Sequence, residues 1–435
     1  MTQSTARRRW RRGGLAAAIG LAMLVTACAP SSDDGTAAPT SAAGTTAAAA
    51  GGTIKVGFLS PVTGNVAAAG KEMREGWELY WEQHGTTVAG QTIETVFEDD
   101  AGNPDTALTK AKRLVEDEKV EVMVGPLLAN TALAVSDYVT RQGIPSLQPV
   151  TAADDLTQRK QNPLMLRAGS YTGSQMNFPG GQWAYEEGHR TAVTLCPDYA
   201  FGWESCAGFV RAFTAKGGTI AKQLWFPLGT QDFSTYVNQI KSAGADIAFV
   251  AAAGGADGPR FLKTFNDFGL KGKQPILANC CLVDQSTLRD VGALAEGVNS
   301  VSYYAEGRDS AAVTKFIDGY KAKFGKIPSL NVAGAYITAD VFAKALEKTG
   351  GKVEGQVLVD AARGMTFDDS LYGPLKYDEM NNPVGPVYVR EVMKNADGAY
   401  WNVPIKTYDD VSQFWTFNKD EYLKAPAYDR SNTGQ

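Results

Sequence analysis

The sequence predicts an α/β protein that folds into two doubly wound lobes, and two observations carry this prediction. First, short apolar runs with the character of strands alternate with amphipathic helical segments from about Thr53 onward. Repeated βα units of this kind form parallel sheets covered by helices on both faces. Second, a chain of 435 residues contains more of these units than one sheet accommodates comfortably. Two lobes place a cleft between two sets of strand-end loops, where doubly wound sheets bind ligands.

The first part of the body alternates four predicted strands with three helices. The first helix presents Met73, Trp77 and Trp81 on one face, at the spacing of an amphipathic helix. The second begins at Asn103-Pro104, because Asn caps helices and Pro is compatible with the first turn. The predicted order is strand 54–59, helix 73–81, strand 94–98, helix 103–115, strand 120–124, helix 133–142 and strand 144–147.

The alternation resumes after residue 190 and continues to the last predicted strands. The turn Asn381-Asn382-Pro383 separates these last two strands, since Asn and Pro favour turns. The predicted order is strand 192–196, helix 209–213, strand 220–226, helix 233–243, strand 247–252, helix 261–268, strand 276–280, helices 313–320 and 336–346, and two strands within 375–392.

Residues 1–27 have the organisation of a signal peptide. Five arginines precede the apolar run Gly13–Val25, which is too short for a comfortable membrane span. A permanent transmembrane anchor is the alternative interpretation. The paired arginines are compatible with twin-arginine export as well as with the general export route.

The residues after the apolar run predict a lipid anchor. Val25-Thr26-Ala27-Cys28 resembles the lipobox of bacterial lipoproteins, which implies cleavage before Cys28 and acylation of Cys28. Residues 28–52 consist mostly of Ala, Thr, Ser and Gly, so we expect a disordered tether. The prediction is therefore an exported protein, anchored by lipid to the outer face of the cell membrane.

Charge and histidine content argue against several classes of function. The formal charge is −5, with 42 basic and 47 acidic residues, but five basic residues lie in the signal peptide. Without them, 37 basic residues stand against 47 acidic ones, which gives the exported chain a charge of −10. A chain this acidic is a poor nucleic-acid binder, because phosphate contacts come from clustered Lys and Arg. With 2 His, a His-rich metal site is also unexpected, and we predict neither a metal nor a cofactor.

Catalytic signatures are missing from the sequence. It contains no G-x-S-x-G elbow, no Walker loop, no H-E-x-x-H and no G-x-G-x-x-G after the first strand. His84 falls at a predicted helix end, where it suits the helix dipole, and His189 falls in a predicted loop. Carboxylate pairs such as Asp99-Asp100 and Asp154-Asp155 are typical of solvated or capping positions. The sequence therefore favours binding over catalysis, and we predict that the protein is not an enzyme.

Four cysteines remain in the body after Cys28. An even number outside the cytoplasm favours disulfides. Cys196 ends a predicted strand and Cys206 lies early in the next helix, so these two either form a bridge or stay as buried thiols. The neighbours Cys280 and Cys281 either form a strained vicinal disulfide or stay reduced.

Six short motifs, in their order and spacing, resemble the leucine/isoleucine/valine-binding class of ABC-transporter solute-binding proteins. They are 55–64 (KVGFLSPVTG), 98–104 (EDDAGNP), 124–127 (VGPL), 149–151 (PVT), 198–202 (DYAFG) and 373–378 (GPLKYD). The resemblance implies the type I periplasmic-binding fold, with two Rossmann-like lobes joined by a three-segment hinge. We therefore expect an N-terminal lobe of residues 53–169 and 301–378, and a C-terminal lobe of residues 170–300 and 379–435.

The resemblance also implies two loops that hold a ligand's carboxylate. Each loop precedes a helix, whose free N–H groups and dipole favour an anion. The hydroxyl residues usual in the family are replaced by alanine in both loops, although Asn130, Thr131 and Thr151 stand beside them as ligand contacts or as helix caps. The residues of the two loops that we expect at the ligand are Ala129, Asn130, Thr131, Val150, Thr151 and Ala152.

Two further departures from the family pattern bear on the ligand. Amino-acid-binding members place an acidic residue at the position of Cys280, where it pairs with the ligand's ammonium; Asp284 lies nearby but does not align. A desolvated ammonium without an anionic partner costs on the order of several kcal/mol. Gly254 and Gly255 stand where the family has an aromatic residue, which leaves more room. We therefore expect a small carboxylate without an α-amine, and an aromatic acid in the first place.

Tyr199 and Phe201 follow the first strand of the second lobe and are aromatic. They either stack on the ring of such a ligand or pack beneath the loop that carries them.

The resemblance implies delivery of the ligand to an ABC permease with a cytoplasmic ATPase, by a monomer that contacts the membrane only through its lipid. Two alternatives stay open: a branched-chain or other amino acid as ligand, and a ligand-sensing receptor domain. Residues after Lys394 extend past the resemblance and are rich in aromatic side chains. They form either a strap packed across the lobes or a surface for permease docking.

Overall fold

The computed structural model of the protein describes residues 51–435. The predicted signal peptide, the predicted lipidation site Cys28 and residues 28–50 of the predicted tether lie outside the described residues. Within residues 51–435, no helix is both long enough and apolar enough to cross a bilayer.

The described part of the chain contains twelve α-helices and fifteen β-strands. The helices are α1 Ala67–His84, α2 Pro104–Glu116, α3 Ala129–Arg141, α4 Phe178–Glu186, α5 Ala200–Ala215, α6 Ser234–Ala243, α7 Asp257–Asp267, α8 Gln285–Val291, α9 Ala311–Phe324, α10 Leu330–Thr349, α11 Gln356–Arg363 and α12 Lys419–Lys424. The strands are β1 Thr53–Ser60, β2 Thr87–Val88, β3 Gln91–Asp99, β4 Val122–Val124, β5 Ser146–Leu147, β6 Met165–Leu166, β7 Thr191–Pro197, β8 Thr219–Phe226, β9 Ile247–Val250, β10 Ile276–Ala278, β11 Asn299–Ser302, β12 Thr366–Ser370, β13 Gly373–Tyr377, β14 Pro383–Lys394 and β15 Tyr400–Val411.

The strands form two sheets; pairing is mostly parallel in the first, whereas the second has four parallel and four antiparallel pairs. The first sheet has the order β2-β3-β1-β4-β5-β6, with only β2 antiparallel to its neighbour. The second has the order β12-β13-β14-β11-β10-β9-β7-β8, and β15 pairs with β14. Strands β7 to β11 are parallel, whereas β12 to β15 pair antiparallel. The predicted α/β class is confirmed.

The strand order of each sheet contains a switch point that positions the functional site. In the first sheet, β1 lies between β3 and β4, so the connections of β1 and β4 run to opposite faces. In the second sheet, β7 lies between β8 and β9 in the same way. Crevices form at the carboxyl ends of strands at such points. The chain passes from the first sheet to the second after β6, and α10 later packs against α1 before the chain returns to the second sheet at β12. The residue boundaries of the lobes stay a prediction.

The predicted apolar face of α1 packs onto the first sheet and onto α10. Trp77 is 1% exposed, packs against Phe58 and Phe342, and donates its indole N–H to Thr95 Oγ1 at 2.9 Å. The two helices cross closely at Gly76, where a Cβ would lie 2.2 Å from the carbonyl oxygen of Val332. This glycine therefore sets the separation of the helices.

Element boundaries differ from the predictions where local signals are weak. Helix α3 begins at Ala129 rather than at residue 133. The sequence did not indicate this start, because the N-cap residue Leu128 has no side chain that can cap a helix. Strand β10 ends at Ala278 rather than at residue 280, because the side chain of Asn279 bonds to Ala252 and turns the chain. The sequence analysis missed several short or irregular elements, namely β2, β6, α4, α8, β11, α11, β12 and β15.

Residues 412–435, called the strap below, pack their aromatic side chains inward. Phe414 and Tyr422 join a buried cluster with Phe178 of α4. Arg159, in the loop between β5 and β6, donates to the carbonyl oxygens of Ala425 at 2.7 Å and Tyr422 at 2.9 Å. The role of the aromatic residues after Lys394 was left open by the sequence, and this packing accounts for several of them.

The structure joins Cys196 and Cys206 by a disulfide, one of the two alternatives for this pair, with a Cα–Cα distance of 6.2 Å. The bridge closes a short loop of sequence separation 10 between β7 and α5.

We expect the Cys196→Ala/Cys206→Ala variant to lose about 2–3 kcal/mol of unfolding free energy, because the unfolded chain regains the entropy of that loop. Urea unfolding measures the loss. If the oxidised wild type and the variant unfold at the same urea concentration, this expectation is contradicted.

Candidate functional site

A small cavity lies where the carboxyl ends of the two sheets meet. Its volume is about 30 Å³, close to the share of one molecule in liquid water. Its lining comes from loops after β4, β5, β7, β9 and β10 and from the start of α10. The lining residues are Leu127, Leu128, Ala129, Val150, Ala152, Tyr199, Phe201, Ala253, Cys281 and Asn331.

The first wall of the cavity is the N-terminus of α3. The first intrahelical bond runs from the N–H of Ala132 to the carbonyl oxygen of Leu128, at 3.0 Å. The preceding N–H groups, those of Ala129, Asn130 and Thr131, therefore have no carbonyl partner one turn earlier in the helix. Ala129 itself lines the cavity. The helix dipole and these donors give this wall a partial positive charge.

The second wall is the loop after β5, in which the carbonyl groups of residues 151–153 are engaged away from the cavity. The carbonyl of Thr151 accepts from Arg167 and from Ser170 Oγ. That of Ala152 accepts from the N–H of Gly173 at 2.7 Å, and that of Ala153 accepts from Arg167 at 2.6 Å. The loop therefore turns its acceptors inward and leaves Val150 and Ala152 on the cavity surface.

Arg167 organises this loop from a fully buried position. Besides the two carbonyls, its guanidinium donates to Thr157 Oγ1 at 3.1 Å and to Asn382 Oδ1 at 2.9 Å. Burial lowers the pKa of Arg167 to about 10, and the nearby carboxyls of Asp154 and Glu204 oppose that decrease. The guanidinium is therefore charged at neutral pH.

The predicted hydroxyl contacts are engaged in backbone hydrogen bonds. Thr131 Oγ1 donates to the carbonyl oxygen of Leu128 at 2.7 Å. Thr151 Oγ1 donates to the carbonyl oxygens of Pro126 and Leu127. Neither side chain lines the cavity, and both are fully buried. Asn130 also lies off the cavity surface, and its buried Oδ1 has no hydrogen-bond partner in the described structure.

Tyr199 and Phe201 form an aromatic wall from the loop between β7 and α5. Both line the cavity, with ring centroids 6.2 Å apart at an interplanar angle of 57°. Burial raises the pKa of Tyr199 well above its usual value, so its hydroxyl is neutral. The alternatives of contacting a ligand and supporting the loop are compatible here, since each ring is largely buried and still faces the cavity.

Gly254 and Gly255 do not line the cavity, although their neighbour Ala253 does. Both adopt a positive φ, 88° and 71°. A Cβ on Gly255 would lie 2.4 Å from the carbonyl oxygen of Asn65. The expected extra room is thus filled by the chain's own backbone, and glycine is required here by close approach.

Cys280 and Asp284 lie behind the cavity surface. Cys280 is 1% exposed, with its Sγ 3.5 Å from Met176 Sδ, and the next residue, Cys281, lines the cavity instead. Asp284 caps α8 through the N–H of Ser286 and accepts the N–H of Leu330 at 2.9 Å. Its carboxylate therefore serves to join α8 to α10.

The sequence analysis missed five cavity residues. Four of them lie within two positions of an expected contact, so only the direction of each side chain was unknown; they are Leu127, Leu128, Ala253 and Cys281. Asn331 is different, because it comes from a helix far along the chain. Its signal was the cap Ser329, whose side chain accepts from Val332 and marks the start of α10.

Two buried carboxyl groups meet where the loop after β5 contacts α5. Glu204 of α5 accepts the N–H of Asp154 at 3.0 Å, and Asp154 accepts the N–H of Ser174 at 3.1 Å. Burial raises the pKa of Asp154 to about 6 and raises that of Glu204 well above its usual value, and the nearby Asp154 carboxyl adds to the increase for Glu204. The sequence-based view of Asp154 as solvated or capping is therefore wrong.

Larger concavities occur elsewhere on the described structure. One of about 310 Å³ lies between α1, α9, α10 and β12, and one of about 340 Å³ lies beside the loop before β10. We assign the site to the smaller cavity, because it alone among these three combines strand ends of both sheets with free helix N–H groups. Residues 51–435 contain no cluster of three His, Cys, Asp or Glu residues suited to a metal.

Comparison with known proteins identifies the family. The profile described as "Periplasmic binding protein" matches residues 53–399. The chain belongs to this family. As a periplasmic binding protein, it is an extracytoplasmic solute-binding protein, and the resemblance to the leucine/isoleucine/valine-binding class is confirmed.

Curated and solved relatives agree with this assignment. The "Leu/Ile/Val-binding protein homolog 6" of Brucella melitensis is 30% identical, over 82% of this chain and 92% of its own. A solute-binding protein of an ABC transporter from Rhodopseudomonas palustris BisB5, solved with 3,4-dihydroxybenzoic acid, is 33% identical with a TM-score of 0.79. That likeness covers 83% of this chain and 98% of the other. A solute-binding protein from R. palustris HaA2, solved with p-hydroxybenzoic acid, is 28% identical with a TM-score of 0.79, over 83% and 98% of the two chains. The predicted two-lobed fold of this periplasmic binding protein is confirmed.

The buried carboxyls make the stability of this binding protein depend on pH. Folding raises the pKa of Glu204 above 4.5 and that of Asp154 above 3.8, so protonation favours the folded state. The contribution of these two carboxyls to stability is therefore highest at acid pH. It falls as pH increases through the unfolded and then the folded pKa, by up to about 1.4 kcal/mol per pH unit for each proton. Glu204→Gln keeps an acceptor for Asp154 N–H and removes the charge. We expect it to raise the unfolding free energy at about pH 8 and to reduce the decline from about pH 5.

Urea unfolding at the two pH values measures both effects. Glu94→Gln, at an exposed carboxylate of β3, is the matched control and should leave the decline unchanged. A Glu204→Gln variant with the full wild-type decline would show that Glu204 is not the group responsible.

Proposed function

We propose that this protein captures a small carboxylate without an α-amine, in the first place an aromatic acid, and delivers it to an ABC importer. The ligand binds between the lobes, which we place at residues 53–169 with 301–378 and at residues 170–300 with 379–435. The partners are a permease with its cytoplasmic ATPase, the protein acts as a monomer, and the ligand leaves unchanged.

The observation that carries the proposal is the chemistry of the cavity lining. None of the ten described lining residues is charged, so an α-ammonium would lose its hydration without gaining an anionic partner. A carboxylate, in contrast, meets the free N–H groups at the start of α3. The position of Cys280 supports this reading, because a thiol occurs where amino-acid-binding members have an acid.

The aromatic ring of the ligand is supported by Tyr199 and Phe201, which present ring surface to the cavity. The two R. palustris relatives were solved with hydroxylated benzoic acids, which have this chemistry. A cavity of about 30 Å³ is smaller than such a ligand. Binding therefore requires the lobes or the lining side chains to move apart before they close around it.

The alternative ligand is a branched-chain or other amino acid, and the name of the B. melitensis relative favours it. The proposed side-chain contacts in either case are Ala129, Val150, Ala152, Tyr199 and Phe201, with the backbone N–H groups of Asn130 and Thr131. Thr151, Gly254, Gly255, Cys280 and Asp284 form the layer behind.

A ligand panel separates the two chemistries. Thermal shift is measured with benzoate, 4-hydroxybenzoate, benzamide, leucine and valine. We expect the benzoates to raise the melting temperature, and benzamide to raise it far less, because it lacks the charge that the α3 N-terminus favours. A larger shift with leucine or valine would contradict the proposed ligand. Mass spectrometry of the recovered benzoate should show no chemical change.

Paired variants on α5 test the location of the site. Phe201→Leu should weaken 4-hydroxybenzoate binding about threefold to tenfold, since an aromatic contact contributes about 0.5–1.5 kcal/mol. Phe213→Leu is the control, because Phe213 is buried on the same helix but does not line the cavity. Equal losses in both variants would indicate an effect of folding rather than of contact.

The anchor is tested on the full chain in a bacterial host that processes lipoproteins. We expect the wild type to fractionate with the membrane, and Cys28→Ser to be released or left uncleaved, because it lacks the thiol that is acylated. Mass spectrometry of the mature N-terminus is the measurement. A wild-type protein that begins after Cys28, or carries no acyl group there, would contradict the anchor.

A further inference from the structure

The turn between β10 and α8 brings two sulfur atoms into contact beside the ligand cavity. Cys280 Sγ and Cys281 Sγ are 3.0 Å apart, and both cysteines are free thiols in the structure. Cys280 is almost fully buried, whereas Cys281 is partly exposed and lines the cavity. Neither sulfur has another role in the binding mechanism.

The turn is held in this geometry by its neighbours. Asn279 Oδ1 accepts from the N–H groups of Cys281 at 3.3 Å and Leu282 at 3.1 Å, and also from Ala252. Arg390 donates to the carbonyl oxygen of Cys280 at 3.3 Å. These bonds fix the backbone on both sides of the pair, so the two side chains are pre-oriented toward each other.

We propose that Cys280 and Cys281 are a redox modification site, which is oxidised to a vicinal disulfide outside the cytoplasm and forms part of the cavity wall. The oxidant is a low-molecular-weight disulfide. The Cys281 thiolate attacks one of its sulfurs, forming a mixed disulfide and releasing one thiolate. The Cys280 thiolate then attacks Cys281 Sγ and releases the second. Two protein thiols thus lose two protons and two electrons, and one disulfide is reduced to two thiols.

The bond would be more easily reduced than the other disulfide of this chain. Adjacent Cα atoms are about 3.8 Å apart across a trans peptide, below the usual spacing for disulfides of about 4.4–6.8 Å. The Cys196–Cys206 pair, at 6.2 Å, lies within that range and is fully buried. Short spacing and exposure to the cleft both favour reduction of the vicinal pair first.

Oxidation changes what the wall offers to a ligand, a consequence that rests on the proposed function. In the reduced state Cys281 presents a rotatable thiol, which is a weak hydrogen-bond donor. In the disulfide it presents a fixed, polarisable sulfur without a donor, which suits the edge of an aromatic ring. The wall is therefore more rigid and more apolar when it is oxidised.

Tryptic peptides of the exported protein test the modification directly. Peptide 274–289 contains both Cys280 and Cys281, and peptide 191–211 contains the Cys196–Cys206 bridge as an internal control. The protein is quenched in acid, denatured and alkylated without reductant. We expect peptide 274–289 without alkyl groups and two hydrogen masses below the dithiol, and a doubly alkylated peptide after reduction. Double alkylation without reductant, with peptide 191–211 still bridged, would overturn the proposal.

A binding measurement tests whether oxidation of Cys280 and Cys281 changes the affinity of the cavity for its ligand. Calorimetric titration with 4-hydroxybenzoate should give a Kd that differs about threefold to tenfold between oxidised and phosphine-reduced wild type. Cys280→Ala/Cys281→Ala should show no such response, which excludes an effect of reducing Cys196–Cys206. An equal Kd in both wild-type states would refute the role in the wall. If 4-hydroxybenzoate does not bind at all, the proposed ligand fails, and the peptide masses still decide on the disulfide.

Discussion

A single buried cation holds the binding cleft together. The guanidinium of Arg167 has no contact with solvent, and its hydrogen bonds reach the loop after β5, the residue Thr157 and the β13–β14 turn. A buried charge of this kind is tolerated only when every donor direction is used and counter-charge is near. Asp154, whose pKa is about 6, supplies that counter-charge at neutral pH, at the contact with α5. The loop after β5, the β13–β14 turn and the contact with α5 are thus organised by one group.

The same network explains the polarity of the cavity. Because Arg167, Ser170 and Gly173 donate to the carbonyl groups of residues 151–153, these three acceptors are not available to a ligand. The start of α3 presents donors without any side chain. The site therefore recognises charge with backbone groups and recognises shape with Tyr199, Phe201 and small apolar residues.

The parts that could be predicted from the sequence depend on periodic or short-range patterns. The apolar face of α1, the alternation of strands and helices, and the loops at Ala129 and Ala152 follow from spacing and from family motifs. The remainder depends on contacts between distant segments. Asn331 reaches the cavity from α10, Gly255 is needed because Asn65 passes close by, and Asp154 is buried because Glu204 and Arg167 surround it. The local sequence around each residue contains no signal for these long-range contacts, since neither partner has an unusual residue type or spacing.

Because the cavity lining is uncharged, the diffusion of an anion toward the cleft and its binding inside the cleft depend on different electrostatic interactions. Dipoles at a helix end act within about one turn, so an anion is attracted only after it has entered the cleft. The chain, with a formal charge of −5, repels the same anion from a distance. Dissolved salt screens that repulsion over about 10 Å at 0.1 M and leaves the enclosed contacts almost unaffected. For an anionic solute, ionic strength therefore sets how fast encounters occur, and the interior of the cleft sets how long each one lasts.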